Sequence, residues 1–297
     1  MNIFQRINHN KFVNTLSILV FIIVLYLFYT NVKPEIRNLN RNTIGILGHR
    51  GMSKSYHYPG NSLPSILEAL RIGALGCELD IQLTKDGSLV AYHHKDLDQY
   101  TNFEGAIRDY QADELKNCHY KGDYVEKVSL VLVDQLFELL GKNSKYIFSF
   151  DCKFNIDGEK DRIAYYIEFI DAIEMLINKH LLDNRIFIES DHVDFHRLLK
   201  LRKINVRQFI TGKGVEKGLR IASKLGLFGI GVGSRISKKE VEKAHNLGVY
   251  VMTWTPTNAF SNAQAVRKNP DYIQTADLTH LVKFLGKTKE SKGKVTG

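Results

Sequence analysis

Residues 226–254, GLFGIGVGSRISKKEVEKAHNLGVYVMTW, hold one complete strand–helix–strand unit. The runs 228–232 and 249–254 are short and apolar, rich in β-branched and aromatic residues, as strands are. Between them, 237–247 has the apolar spacing of a helix. Gly226 and Gly248 stand where a glycine closes a helix. Two strands separated by a helix pair in parallel, because the connection is too long for a hairpin.

The same alternation runs outward in both directions. Further strands are expected at 44–48, 76–82, 146–151, 185–190, 206–210 and 271–274, giving eight in all. Helical patterns lie at 62–72, 133–141, 159–180, 192–203, 214–225, 259–268 and 277–286. Eight such units over about 240 residues predict the α/β class and a (β/α)8 TIM barrel spanning 44–286. An open doubly wound sheet is the competing architecture, but no G-x-G-x-x-G follows the first strand. The stretch 83–130 breaks the rhythm. It opens with the turn Lys85-Asp86-Gly87 and a return strand up to His93, and continues as a polar insertion. An insertion after the second strand falls on the face where barrels build active sites.

The chain has 297 residues, 44% hydrophobic and 25% charged. That excludes a wholly disordered, collagen-like or coiled-coil protein. Three cysteines, Cys77, Cys118 and Cys152, exclude a disulfide scaffold and read as small buried side chains. The net charge is +9, but +4 of it lies in residues 1–43 and +4 in 283–297. The body is nearly neutral, so a nucleic-acid partner is not expected.

No charged residue stands between Lys11 and Lys33. Those 21 positions, 12–32, span roughly 31 Å as a helix, which matches a hydrocarbon core. Tyr26, Phe28 and Tyr29 gather at one end, as interfacial aromatics do. No small-residue cleavage site follows, so a retained single-pass transmembrane helix is expected rather than a signal peptide. Residues 1–11 form a short tail, 33–43 a polar stem, and 287–297 a basic disordered tail. The very short N-terminal tail favours a membrane protein with its barrel on the non-cytoplasmic side.

Four segments carry side chains with chemistry. His49-Arg50 follows the first strand between glycines; histidine can move protons and arginine can grip phosphate, although a loop His-Arg pair is often structural. Glu78 and Asp80 are i and i+2 on one strand and share a face. Two carboxylates on the inner side of an apolar strand suit a hard cation, Mg²⁺ or Ca²⁺; a salt bridge or a solvated edge strand would use the same pattern. Asp151 and Lys153 share a face at the end of another strand, where they fit a third carboxylate with a phosphate contact, or a plain ion pair. Of His93-His94, only one can face the site.

Taken together, these segments resemble the glycerophosphodiester phosphodiesterase family. The motifs are His49-Arg50-Gly51, Pro59-Gly60-Asn61-Ser62, Glu78-Leu79-Asp80, Thr84-Lys85-Asp86-Gly87, His93-His94, Asp151-Cys152-Lys153 and Trp254-Thr255-Pro256-Thr257. The resemblance covers the body from about Ile44 to Phe284 and is most specific over 48–102. It implies a divalent cation held by Glu78, Asp80 and Asp151, and general acid–base catalysis by His49 and His93. It implies that Arg50 and Lys153 hold phosphate oxygens and that Trp254 lines the mouth. The activity so implied is a phosphoric diester hydrolase acting on small-molecule or lipid phosphodiesters. Glycerophosphodiesters would give glycerol phosphate, and lysophospholipids would give lysophosphatidic acid. Three positions depart from the family pattern. Gly60 stands for a glutamate, His94 for an aspartate, and Asp151 is a methylene shorter than the usual glutamate. A carboxylate of the insertion 94–125 is one candidate substitute. The other reading is a catalytically impaired, membrane-anchored barrel that binds phosphate ligands.

Overall fold

The computed structural model describes residues 3–53, 57–155 and 159–287. The expected basic tail lies almost wholly outside the described residues, at 288–297.

Eight parallel strands close on themselves. They are β1 (Gly45–His49), β2 (Gly76–Leu83), β5 (Ile147–Cys152), β6 (Ile186–Ser190), β7 (Arg207–Ile210), β8 (Gly229–Gly233), β9 (Tyr250–Trp254) and β10 (Tyr272–Thr275). β1 pairs with both β2 and β10, which closes the barrel. The expected (β/α)8 architecture is the one found. Around it stand α2 (Leu63–Ile72), α4 (Val133–Leu140), α5 (Glu159–His180), α6 (Val193–Leu201), α7 (Val215–Leu225), α8 (Lys238–Asn246), α9 (Ala259–Arg267) and α10 (Leu278–Phe284). The unit at 226–254 shows how local sequence sets its bounds. Ser237 Oγ accepts from Glu240 N at 3.3 Å, and Glu240 Oε2 accepts from Ser237 N at 2.8 Å. This reciprocal cap starts α8. Gly226, at φ +60°, ends α7 in the left-handed region that side chains avoid.

The barrel interior has two layers. Leu47, Phe187, Phe209, Met252 and Tyr272 pack as an apolar floor. Glycines make room for two of these rings: a Cβ at Gly229 would lie 2.6 Å from Phe209, and one at Gly45 would lie 2.4 Å from Tyr272. Two residues further along the same strands come His49, Glu189, Thr211, Trp254 and Gln274. The period of two along a strand keeps both sets facing inward, so polar groups sit directly above the floor.

The insertion is more structured than its polar composition suggests. β3 (Leu89–Ala91) returns antiparallel along β2, and β4 (Val131–Leu132) pairs with β3. With the short α3 (Ala112–Leu115), it closes around its own core of Val90, Tyr92, Leu97, Ile107, Leu115, Cys118, Tyr120, Val128 and Leu130. All three cysteines are buried and free.

α1 (Ile3–Asn31) starts before the apolar run, because no proline or glycine interrupts 3–33; Pro34 follows its end. Its stretch Phe12–Asn31 is long and apolar enough to cross a membrane. Residues 33–43, read from the sequence as a stem, lie against the barrel. Arg37 N donates to Asn269 Oδ1 at 2.9 Å, Asn38 Nδ2 to Pro270 O at 2.8 Å, and Asn40 N to Asp271 Oδ1 at 3.0 Å. Asp271 is fully buried and also accepts from Val251 N at 2.7 Å. Removing 1–42 therefore strips a buried carboxylate of one donor, whereas removing 1–32 does not. The shorter truncation is expected to be the more stable by about 1–3 kcal/mol. Thermal melts of both truncations check this; equal midpoints would mean that water replaces Asn40 at no cost.

Candidate active site

The strands deliver the polar layer in register. His49 stands beside Glu78 across β1 and β2, and Asp80, Asp151 and Glu189 stand in one row across β2, β5 and β6. Parallel partners point the same way, so the row becomes a cluster. Ligand oxygens of Glu78, Asp80 and Asp151 lie within 4.8 Å of one another. Lys153 Nζ sits 3.1 Å from Asp80 Oδ1 and also donates to Asp151. The ion pair read as one alternative at Asp151–Lys153 thus coexists with the carboxylate cluster. Arg50 Nε lies 2.9 Å from Asp80 Oδ2 without a well-aligned hydrogen bond.

His49 Nε2 is 3.8 Å from Glu78 Oε2, and its Nδ1 is 3.4 Å from Ser53 Oγ. His93 enters from the end of the return strand, and its buried Nδ1 has no hydrogen-bond partner among the described residues. His94 turns away and stacks on Tyr100 with ring centroids 3.8 Å apart. Trp254 stands at the rim, 40% exposed. His49, Arg50, the three clustered carboxylates, Lys153 and Trp254 line a cavity of about 620 Å³, and His93 and His94 line a smaller one of about 130 Å³ that shares Arg50. Another cavity, also of about 620 Å³, shares His49 and Arg50 and runs past Tyr58, Tyr124 and Thr257.

The electrostatics are unbalanced. Apart from Asp191, which pairs with Lys213, four carboxylates of the cavity, Glu78, Asp80, Asp151 and Glu189, face two fixed cations, Arg50 and Lys153. Burial pushes Glu78 well above the ordinary carboxylate range, and Asp80, Asp151 and Glu189 add to the push. Burial likewise raises Asp151 and carries Glu189 up to about 8. Burial alone would raise Asp80 too, but Lys153, Arg50, His93 and a hydrogen bond from Asn61 hold it low. Burial takes His49 and His93 each down to about 4, aided by Arg50 and Lys153, with Asp80 opposing. A hard dication fits this set: the donors are oxygens, they converge, and the carboxyl groups outnumber the fixed cations by two.

The glycerophosphoryl diester phosphodiesterase family model matches residues 49–278. The chain belongs to that family. Membership places it among the phosphoric diester hydrolases. A glycerophosphodiester phosphodiesterase of Caldanaerobacter subterraneus is 26% identical over 82% of this chain and 98% of its own length. One from Bacillus altitudinis is 30% identical over 52% of this chain; the match spans 62% of that relative. A solved Oleispira antarctica phosphodiesterase, in complex with the product sn-glycerol-3-phosphate, shares the fold with a TM-score of 0.68. It is 17% identical over 81% of this chain and 96% of its own.

Against the family pattern, Gly60 is explained by Arg50. A Cβ at position 60 would lie 2.9 Å from Arg50 Cβ and 3.2 Å from its Cδ, so the arginine occupies that space. Arg50 cannot slide easily, since its backbone has φ +55° and its N–H donates to Glu78 O at 2.9 Å. Gly60→Ala is expected to shift the guanidinium and raise KM several-fold with kcat little changed. An unchanged KM would mean that Arg50 does not grip the substrate.

Sequence reasoning missed the fourth carboxylate. The insertion's acids do not supply it: none of Asp96, Asp98, Glu104, Asp109 and Asp113 lines the cavity, and Asp98, Asp109 and Asp113 are engaged at Gly105 N, Ala106 N and Lys116. Glu189 supplies it, held by Ser149 Oγ at 2.6 Å and by Gln274. The signal was present in the strand Ile186-Phe-Ile-Glu-Ser, where alternation puts Glu189 on the face of Phe187. Asn61 was also missed as a site residue. Its Nδ2 donates to Asp80 Oδ2 at 2.9 Å and its Oδ1 accepts from Asp80 N at 3.2 Å, fixing that carboxylate.

Proposed function

We propose that the chain hydrolyses glycerophosphodiesters with a divalent cation, Mg²⁺ or Ca²⁺, held by Glu78, Asp80 and Asp151. The observation that supports this most directly is the acidic cluster, with His49 on one flank and His93 on the other, at the strand ends of one barrel face. The cation supplies charge stabilisation to a phosphodiester that gains negative charge as the attack proceeds.

The chain's own residues do the rest. Arg50 and Lys153 hold phosphate oxygens and fix the phosphorus in front of the imidazoles. One histidine, in its neutral form, takes the proton of the attacking hydroxyl or water, while the other enters the step protonated. As the new P–O bond forms, the ester P–O bond breaks, and the other imidazole passes a proton to the departing alkoxide. With water as the nucleophile the products are an alcohol and a phosphomonoester; with a glycerol hydroxyl, the alcohol leaves first and water then opens the cyclic phosphodiester to the same phosphomonoester. Glycerol phosphate bound to the Oleispira relative supports a glycerol phosphate product here. Trp254 lines the mouth. The helix over 12–32 acts as a single-pass membrane anchor with the barrel on the non-cytoplasmic side, so lysophospholipids are substrates as well as water-soluble diesters.

The test is hydrolysis of a glycerophosphodiester before and after exhaustive chelation. Turnover is expected to vanish with chelator and to return with added Mg²⁺ or Ca²⁺. Turnover that survives chelation would overturn the cation's role.

A further inference from the structure

We infer that α1 is docked so that the catalytic mouth faces the bilayer, and that the site takes an acyl-chain-bearing phosphodiester directly from the membrane surface. This rests on the proposed hydrolase activity and on α1 being a membrane anchor. The direction of the helix is read from its contacts.

α9 follows β9, so its first turn lies at the catalytic end of the barrel. Tyr26 stacks on Phe260, the second residue of α9, with ring centroids 6.3 Å apart and planes 10° from parallel. Tyr29 lies 5.2 Å from the same ring. Arg267, the last residue of α9, sits 3.9 Å over the Tyr29 ring and donates to Val32 O at 2.9 Å. Thr30 O faces His280 Nε2 at 3.1 Å. The chain then reaches Asn269, Pro270 and Asp271 at the opposite end, where β10 begins. α1 therefore descends beside α9 from the catalytic end towards the far end. Read backwards, Leu25 to Phe12 climbs past the catalytic end by about 20 Å, and its apolar side chains are exposed all the way.

The apolar span Phe12–Asn31 must fill a core about 30 Å thick. Its last turns are lodged against α9 and α10 and only about 20 Å of it stands clear of the barrel, so no length is left for a gap. The bilayer surface must reach the level of Tyr26, Tyr29 and Phe260, which is the level of the loops around the site. Nor can the stem act as a tether, because it is bonded along the barrel. The exposed residues at this end suit an interface: Trp254 is 40% exposed, Phe260 43%, Tyr100 37% and Val125 90%. The cavity past Tyr58, Tyr124 and Thr257 leads from Arg50 towards the start of α9, on the side where α1 rises. A diester with one acyl chain in the bilayer can place its phosphate at Arg50 along this groove.

The chain contains a single tryptophan, Trp254, at the rim, and this gives a direct test. The full-length protein is placed in phosphatidylcholine vesicles with acyl chains brominated close to the headgroup, and in unbrominated ones. Trp254 emission is expected to fall in the brominated vesicles and to be shielded from aqueous iodide. Equal emission in both vesicles, with full iodide quenching, would overturn the inference. The double variant Phe260→Ala, Arg267→Ala, which lies outside the catalytic machinery, is expected to restore iodide access. Unchanged shielding in that variant would overturn the role of the docked helix. Activity is read on lysophosphatidylcholine in the vesicles and on soluble glycerophosphocholine. Lipid quenching with neither diester cleaved would leave the orientation standing and remove the hydrolase reading. Cleavage of the soluble diester without lipid quenching would do the reverse.

Discussion

His49→Ala is expected to lower kcat for glycerophosphodiester hydrolysis by roughly 10²–10⁴-fold, the usual contribution of one positioned proton-transfer group. The fold should be untouched. His49 sits at the end of β1, in the polar layer, and its ring makes only a long contact to Ser53 and a 3.8 Å approach to Glu78. Its removal leaves no buried donor or acceptor stranded, so the thermal midpoint should stay within a few degrees of wild type. His93→Ala should give a loss of similar size. The double variant should be little worse than either single one, because the two groups act in one proton relay. Steady-state kinetics with circular dichroism of each variant decide the matter. A folded His49→Ala protein with kcat within a few-fold of wild type would remove this residue from the chemistry.

Glu78→Gln has a second, more diagnostic signature. Glu78 is 2% exposed and stands among three other carboxylates. Without a cation, burial and the neighbouring carboxylates hold this carboxyl well above its ordinary range, and a group that folding forces to keep its proton at neutral pH costs stability. The amide keeps the shape and has no such proton to take up. In chelator, the variant is therefore expected to melt at or above the wild-type temperature. Added Mg²⁺ or Ca²⁺ should raise the wild-type midpoint, since a ligand that binds only the folded state stabilises it. The variant should show no such rise and little turnover. Loss of affinity should exceed the roughly 10–100-fold that outer partners of a metal cost. An equal cation-induced rise in both proteins would show that Glu78 is not a ligand.

The barrel was legible because its signals are local. Strand runs such as 249–254, the helix between Gly226 and Gly248, and the return turn at Gly87 each specify their own geometry. The inward face of β2 was legible for the same reason, since Glu78 and Asp80 are two residues apart on one strand. What could not be read was lateral register. Nothing within Ile186-Phe-Ile-Glu-Ser says that Glu189 will stand beside Asp151, because that depends on how neighbouring strands slide. Arg50 filling the space above Gly60 is likewise a contact across a loop, visible only in three dimensions. The stem misled for another reason: its asparagines look solvent-facing, yet they serve as caps for backbone at 269–271.

The ring of Leu47, Phe187, Phe209, Met252 and Tyr272 seals one end of the barrel. Reactant and product must then enter and leave by the same end of the barrel. A phosphomonoester still seated at Arg50 and Lys153 blocks the next phosphate until it has left, so free glycerol phosphate should compete with the diester, and the rate of its release bounds the turnover.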